Sequence, residues 1–345
     1  MLYTMATRHD FLKESYRLRY KDIQGVEGGG CHLNVYLPQD VTSAETLPVV
    51  MMIRGGGFWV GAAHLIPYNQ VHYLLDHKVV VVSIEHRLLP HCHIEEMRHD
   101  CLDALRYCQE RLGEQVQEVH IDGSKIGVLG WSAGALLAIY LAHDASLNGG
   151  LGPLAISVTY PPTDMSGSNN RPKSDFESKL EADSTLKAQW DSLMHGPASS
   201  DWSPLPPGLM PGQLANVPPP QPMPERMIMF FAQIHSETLF TYLYDHDPPY
   251  TQPSPLDIAD SHFPPTAIVM AESDKVIPIS NSQALYDKLQ AKGVPSALFT
   301  CHGMDHIQAE CLATADPWPA NRKAEWWEAI TQNLDFVLDA MGVAF

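Results

Sequence analysis

The stretch that decides the fold is residues 125–140, which read KIGVLGWSAGALLAIY. It begins with an apolar run typical of a buried strand and ends with the composition of a buried helix. Between them stands a G-x-S-x-G pattern with Ser132 at the apex of a tight turn. Small flanking residues on a sharp strand-to-helix turn are the signature of a nucleophile elbow. An ordinary turn has the same composition, so a base, an acid and an oxyanion hole must be found elsewhere in the chain.

Further short apolar runs predict strands that are buried on both faces. They are residues 48–53, 79–84, 155–159, 266–270 and 296–300. Helical patterns separate them, among them 94–112, 282–292 and 326–341. Residues 16–20 and 32–37 alternate in polarity, as half-exposed antiparallel edge strands do. The alternation of strands and helices predicts an α/β fold with a mostly parallel central sheet flanked by helices.

Residues 164–265 interrupt this pattern, because they have no strand signal and many prolines. Their apolar patches at 227–231 and 239–244 look like short helices. A structureless loop of that length is improbable inside a compact domain, and disordered segments have few aromatic residues. We therefore expect one domain over residues 1–345, with 164–265 inserted as a lid or cap over a pocket. A disordered insert is the alternative.

The charge balance is strongly acidic, with 22 Lys and Arg against 40 Asp and Glu and a net charge of −18. Such a surface repels phosphate backbones and anionic lipid headgroups, so neither nucleic acid nor a membrane is an expected partner. No apolar run approaches the length of a membrane span. A small-molecule substrate is expected instead, and nothing in the sequence excludes a homodimer.

Two observations bear on the compartment. The first twenty residues are charged and carry no apolar region of a secretory signal, so a cytoplasmic protein is expected. The cysteines have no paired spacing, which favours free and mostly buried thiols. They are Cys31, Cys92, Cys101, Cys108, Cys301 and Cys311.

Residues 91–99 contain three histidines and two glutamates that could bind zinc. However, neither C-x-x-C nor H-E-x-x-H spacing is present, and extended histidines two residues apart point in different directions. We therefore expect no metal ion and no other cofactor.

A glycine-rich loop, RGGGF at residues 54–58, follows the strand predicted at 48–53. Consecutive glycines let backbone N–H groups turn outward and approach a ligand closely. Two such amides, with the amide of the residue after the nucleophile, form the kind of oxyanion hole that stabilises a developing negative charge. A flexible turn and a phosphate cradle are alternatives, but no G-x-x-x-x-G-K-[ST] sequence follows.

An acid and a base stand at the ends of two other predicted strands. Asp274 follows residues 266–270, and His306 follows residues 296–300. The chain order Ser132, Asp274, His306 is that of an α/β-hydrolase triad, in which the histidine takes the serine proton and the acid orients the imidazole. The neighbouring candidates that spacing alone does not exclude are Glu272, His302 and Asp305.

Several motifs together resemble the hormone-sensitive-lipase-like branch of the α/β-hydrolases, which includes carboxylesterases. They are RGGGF at 54–58, EHRLLP at 85–90, GWSAG at 130–134, SPL at 254–256, FPP at 263–265, AESD at 271–274, GVP at 293–295 and GMDH at 303–306. The similarity covers roughly residues 30–340, and the insert is only loosely comparable. The ensemble is far more specific than any one motif.

The resemblance implies a role for each matching position. It makes Ser132 the nucleophile, Asp274 the acid, and His306 rather than His302 the base. The oxyanion donors that it implies are the amides of Gly56, Gly57 and Ala133.

One departure concerns substrate binding. The family's glycine loop usually begins with histidine, whereas this chain has Arg54. Its guanidinium either anchors the loop through backbone carbonyls or attracts a substrate carboxylate or enolate. Arg54, Phe58 and Trp131 are accordingly the candidate substrate-binding residues. The N-terminal cap also looks shortened, so the insert at 164–265 has to cover the pocket and substrate preference does not carry over.

The sequence thus predicts a serine esterase that cleaves a small hydrophobic ester through an acyl-enzyme on Ser132. A natural-product tailoring enzyme could use the same triad for lactone or thioester opening, condensation or isomerisation. An amide hydrolase similar to arylformamidases is another alternative. A non-enzymatic binding protein, as plant gibberellin receptors are, fits poorly because those have lost the histidine that His306 supplies.

Overall fold

The computed structural model describes residues 12–343, except residues 40, 43–44, 148, 150, 165–169, 204–222, 251 and 307–319. Of residues 320–324 it describes the backbone alone. Cys311 and the three consecutive prolines at 218–220 therefore lie outside the described residues.

Among the described residues, an eight-stranded sheet forms the centre of the fold. Its strands are β1 (Tyr16–Asp22), β2 (Gly30–Tyr36), β3 (Thr46–Ile53), β4 (Val80–Ile84), β5 (His120–Trp131), β6 (Ala155–Thr159), β7 (Thr266–Ala271) and β8 (Ser296–Cys301). Their order across the sheet is β1-β2-β4-β3-β5-β6-β7-β8. All pairs from β4 to β8 are parallel, and β1 and β2 pair antiparallel at one edge. The predicted α/β fold with a mostly parallel sheet is confirmed.

Helices cover both faces of this sheet. They are α1 (Tyr68–Asp76), α2 (Ile94–Glu110), α3 (Leu112–Gln115), α4 (Ala133–Leu147), α5 (Lys173–Ala182), α6 (Ser184–His195), α7 (Glu225–Ser236), α8 (Leu239–Leu243), α9 (Pro255–Ile258), α10 (Ser280–Ala291) and α11 (Ala320–Ala340). Helices α1 and α11 pack on one face, and α2, α4 and α10 pack on the other. The helix predicted at 282–292 ends where Gly293 adopts a φ of +71°.

Strand β3 shows why the buried runs are continuous rather than alternating. Met51 and Ile53 point into the core beneath α2 and α4, whereas Val50 and Met52 point into the core beneath α1 and α11. All four side chains are fully buried. A strand covered on both faces needs apolar residues at every position, which is the pattern of a parallel sheet between two helical layers.

The described parts of residues 164–265 contain helices α5 to α9 joined by loops, and no strand of the sheet. Helices α5, α6 and α8 pack through an aromatic cluster of Phe176, Trp190 and Tyr242, whose ring centroids lie 5.3–5.5 Å apart. The apolar patches at 227–231 and 239–244 fall on α7 and α8. The action of this insert as a lid stays a prediction.

The turn between β5 and α4 depends on its two glycines. A Cβ atom at Gly130 would lie 2.3 Å from the carbonyl oxygen of Gly134. One at Gly134 would lie 2.1 Å from the carbonyl oxygen of Ile53 on β3. Ser132 between them has a φ of +52°, which non-glycine residues rarely adopt. The G-x-S-x-G pattern is therefore a requirement of backbone contact between strand and helix.

Replacing Gly134 with alanine tests this contact. The Gly134→Ala variant should lose about 1–3 kcal/mol of unfolding free energy, because the added methyl group overlaps two carbonyl oxygens of the β3 end. Gly113→Ala is the matched control, since that helical glycine leaves its nearest neighbour 3.9 Å away. Urea unfolding of both variants provides the measurement. A Gly134→Ala variant as stable as Gly113→Ala contradicts the account.

The five cysteines among the described residues are buried and free. Burial raises the pKa of Cys108 and of Cys301 to about 12, so these thiols are protonated at neutral pH. Across the part of the chain that the structure describes, no helix combines the length and the apolar composition of a membrane span.

Candidate active site

Three side chains from separate strand ends meet in one hydrogen-bonded series. Ser132 stands after β5, Asp274 after β7 and His306 after β8. The Nε2 atom of His306 lies 3.0 Å from Ser132 Oγ, and its Nδ1 atom lies 2.8 Å from Asp274 Oδ2. Because the carboxylate accepts the Nδ1 proton, the other ring nitrogen is left to accept the serine proton. This is the geometry in which an imidazole serves as a general base.

The carboxylate of Asp274 is held on both of its oxygens. Oδ1 accepts the backbone N–H groups of Val276 and Ile277, each at 2.8 Å, and Oδ2 accepts His306 Nδ1. The Asp274 and His306 side chains are 1% and 6% exposed. A buried carboxylate with these donors keeps the imidazole ring in one orientation.

The neighbouring candidates lie outside this series. His302 and Glu272 pair with each other at 3.4 Å and have exposed side chains. Asp305 binds Lys275 and the backbone amide of His306. The structure therefore brings His306 beside Ser132 and leaves His302 at the surface.

The loop predicted to bind an oxyanion has the backbone that only glycine adopts easily. Gly56 and Gly57 have φ angles of +113° and +58°. A Cβ at Gly56 would lie 2.0 Å from the carbonyl oxygen of Val60. Ala133 begins α4, where the first N–H groups have no acceptor inside the helix. Among the described residues, no backbone acceptor takes the amide protons of these three residues.

Arg54 is a buried anchor of the glycine loop. Its side chain donates to four backbone carbonyls at 3.0–3.4 Å, those of Gly55, Val60, His86 and Ser200. The residue is 1% exposed. Burial is the main reason that the pKa of Arg54 is lowered. With the two terminal nitrogens engaged, the geometry favours the loop-anchor reading of Arg54 over substrate attraction.

Phe58 and Trp131 are also inside the protein, at 2% and 1% exposure. Phe58 packs in the core below α2 and α4, and Trp131 packs in the core below α1 and α11. Nothing in this arrangement presents either side chain to a substrate, and their binding role stays a prediction that burial disfavours.

The first residues of the motif at 85–90 are buried and hydrogen-bonded close to Arg54, which anchors the glycine loop. Glu85 is fully buried and accepts hydrogen bonds from Arg17, from the His32 amide and from Ser200 Oγ. His86 next to it is also buried, and burial with the nearby Arg54 lowers its pKa to about 3. Since Ser200 binds Glu85 through its hydroxyl and Arg54 through its carbonyl, this residue of the insert ties both to one structure.

Two aromatic residues beside the site were missed at the sequence level. Tyr160 follows β6 with a φ of +39°, and its ring centroid lies 4.5 Å from that of His306. Phe230 on α7 lies against the oxyanion loop, since a Cβ at Gly57 would be 2.2 Å from its ring. The position of Tyr160 at a strand end was an available signal for it. Phe230 had none, because the insert has no comparable pattern.

Substitution of Arg54 distinguishes a loop anchor from a residue that attracts an anionic substrate. Arg54→Met should lose at least about 2 kcal/mol of unfolding free energy, because four loop carbonyls lose their donors. Arg54→Lys should not restore it, since one ammonium cannot reach both pairs of carbonyls. Arg106→Met, at an arginine whose side chain is 48% exposed, is the control in urea unfolding. Unchanged stability with a raised KM for anionic substrates alone would favour the substrate reading.

Comparison with known proteins shows which fold class this chain shares. The family described as alpha/beta hydrolase fold matches residues 50–220. The propionate-bound esterase from Thermogutta terrifontis is similar in structure, with a TM-score of 0.58 and 14% identity over 96% of each chain. The Pyrobaculum calidifontis esterase has a TM-score of 0.56 and 19% identity over 96% of this chain and 87% of its own. At these identities the structures establish the fold.

Together, fold, elbow and family match define an α/β-hydrolase. Within that class, the family match and the esterase neighbours support the resemblance to the hormone-sensitive-lipase-like branch that the motifs indicate.

The curated relatives are much longer proteins. The non-reducing polyketide synthase atr1 of Stereocaulon alpinum is 25% identical over 349 residues, which covers 96% of this chain and 13% of the synthase. Preu6 of Preussia isomera, also a non-reducing polyketide synthase, is 25% identical over 94% of this chain and 15% of its own. The methylphloroacetophenone synthase of Cladonia uncialis is 31% identical over 38% of this chain and 5% of its own. The chain thus spans a small part of the relatives that it matches.

Proposed function

We propose that this protein is a serine hydrolase that cleaves a carboxylic ester through an acyl-enzyme on Ser132. The observation that carries the proposal is the series Ser132 Oγ, His306 Nε2 and Nδ1, and Asp274 Oδ2, with contacts of 3.0 and 2.8 Å. Serine is a weak nucleophile at its ordinary pKa and needs an adjacent base to react. His306 is placed to be that base.

The reaction proceeds in two halves. Ser132 Oγ attacks the ester carbonyl carbon while its proton passes to His306 Nε2. His306 then gives this proton to the alcohol oxygen as the C–O bond breaks and the acyl-enzyme remains. In the second half, water attacks the acyl carbon, His306 takes one of its protons, and the proton returns to Ser132 Oγ as the carboxylic acid leaves. Asp274 stays ionised and stabilises the imidazolium in both halves.

The negative charge on the carbonyl oxygen is assigned to the amides of Gly56, Gly57 and Ala133. The Ala133 amide lies at the N-terminus of the fifteen-residue helix α4, whose dipole favours an anion at that end. Each donor of an oxyanion hole contributes on the order of 3 kcal/mol to the transition state.

The surroundings of the loop favour a hydrophobic acyl or alcohol group. The Phe230 ring contacts Gly57, so any substituent on a carbonyl bound there would lie beside an aromatic side chain. Val276 and Ile279, which follow Asp274, are 51% and 44% exposed. The net charge of −18 adds no attraction for an anionic substrate.

Labelling with a fluorophosphonate tests the nucleophile. Wild-type protein should be labelled and should hydrolyse short-chain nitrophenyl esters, and Ser132→Ala should lose both because the attacking oxygen is gone. His306→Ala should reduce kcat/KM by at least about 10³-fold. Ser124→Ala, at an exposed serine of β5, is the matched control and should behave as wild type. Equal labelling of Ser132→Ala would rule out the assignment.

In a second candidate function, the same triad cleaves a thioester whose acyl group is of polyketide type. The observation that favours it is the match of 94–96% of this chain to parts of two non-reducing polyketide synthases. The chemistry differs only in the leaving group, because Ser132 Oγ would displace a thiol to which His306 returns the proton. The acyl group on Ser132 then passes to water or to another nucleophile.

Matched substrates separate the two candidates. One benzoyl-type acyl group is presented as an N-acetylcysteamine thioester, as the oxygen ester and as the amide, with a butyryl series as the control. If the second candidate holds, kcat/KM for the aromatic thioester should exceed that for the butyryl thioester by at least about tenfold, a difference of about 1.4 kcal/mol. A preference for butyryl oxygen esters would leave the esterase assignment and exclude the thioester one. Turnover of the amide alone would contradict both.

A further inference from the structure

Two adjacent loops hold the acid and the base of the triad. The acid loop, residues 272–277, follows β7, and the base loop, residues 302–306, follows β8. Strands β7 and β8 are parallel neighbours, so both loops leave the same edge of the sheet side by side. The contact between Asp274 and His306 therefore depends on how these loops are joined.

Asp305 joins them through one carboxylate. Its Oδ1 atom accepts the Lys275 amide at 3.0 Å and the His306 amide at 2.8 Å. Its Oδ2 atom accepts Lys275 Nζ at 2.6 Å. Lys275 follows Asp274 in the chain, so a single oxygen binds the backbone beside the acid and the backbone beside the base.

Other bonds hold the loops nearer to the strands. The Ser273 amide donates to the Met304 carbonyl at 2.7 Å, and the Gly303 amide donates to Glu272 Oε2 at 2.8 Å. The Asp305 bonds differ because one carboxylate oxygen accepts both the amide of the residue that follows Asp274 and the amide of His306 itself.

Asp305 is ionised in this setting. Partial burial acts to raise the pKa of Asp305, but the hydrogen bonds from Lys275 and from the two amides outweigh it and lower the pKa overall. Hydrogen bonds to an ionised carboxylate are stronger than bonds between neutral groups. The carboxylate binds the amide of His306 and not its ring, so its part in the site differs from that of Asp274.

We infer that Asp305 is a positioning residue that sets the distance between Asp274 and His306 by bridging the backbone of the acid and base loops. This inference rests on the proposed serine-hydrolase function. A displacement of about 1 Å in a reacting group costs on the order of 10²-fold in rate. Loss of the bridge should therefore slow the proton transfer without altering the surfaces that hold the substrate.

The test compares Asp305→Ala with Asp305→Asn. In the alanine variant, kcat for a nitrophenyl ester should fall about 30- to 100-fold and fluorophosphonate labelling should slow in parallel, with KM changed by less than about threefold. Asparagine keeps an oxygen for the two amides, so Asp305→Asn should recover most of the rate. A residue that only stabilised the fold would not lower kcat while leaving KM almost unchanged. Asp122→Ala, at a half-buried aspartate on β5 that accepts the Ser124 amide, is the matched control.

Each result decides the inference. It is overturned if Asp305→Ala retains kcat within about threefold of wild type, or if Asp305→Asn loses as much as Asp305→Ala. Should Asp305→Ala fold poorly, Asp305→Ser replaces it, because the shorter side chain cannot bridge both amides. Failure of the proposed function appears in a different measurement, because Ser132→Ala would then be labelled as strongly as wild type. If only the inference about Asp305 fails, Ser132→Ala stays unlabelled and Asp305→Ala keeps its kcat.

Discussion

The contact of helix α4 with the end of strand β3 is the constraint on which the site depends. Gly134 lies so close to the Ile53 carbonyl that no side chain fits between them. That approach puts the first amide of α4 next to the loop that continues β3, which carries Gly56 and Gly57. Within the same turn, Ser132 has a positive φ of +52°. A conformation of this kind costs about 1–3 kcal/mol and persists only where the surrounding structure holds it.

Much of the fold and of the site could be predicted, because the informative residues are local signals at strand ends. Buried strands need apolar residues at every position, and the elbow needs glycines where backbones meet, so both leave a pattern in the chain. The same patterns pointed to Asp274 and His306 at the ends of β7 and β8. The choice of His306 over His302 as the base came from the family resemblance. The hydrogen bonds give its physical reason, because His306 lies beside Ser132 whereas His302 pairs with Glu272.

What the sequence could not predict depends on contacts between distant segments. The sequence favours Arg54 as a loop anchor but leaves an anion site open until its four carbonyl partners are known, and one of them belongs to Ser200 in the insert. Tyr160 is one of thirteen tyrosines, and only the folded chain places its ring 4.5 Å from His306. No periodicity or spacing encodes such contacts, because they arise from tertiary packing rather than from local conformational preference.

Helix α7 of the insert is hydrogen-bonded to the segment that follows the glycine loop. Arg226 of α7 donates to the carbonyls of Trp59 and Leu89, and Gln233 accepts the Trp59 indole N–H at 2.9 Å. Helix α7 is thereby fixed to the loop that runs on from Gly57, with Phe230 lying on the glycine itself. A change in α7 is therefore expected to shift the glycine loop that this helix contacts. The insert therefore connects two distant parts of the chain through contacts that the strand pattern of the sheet does not specify.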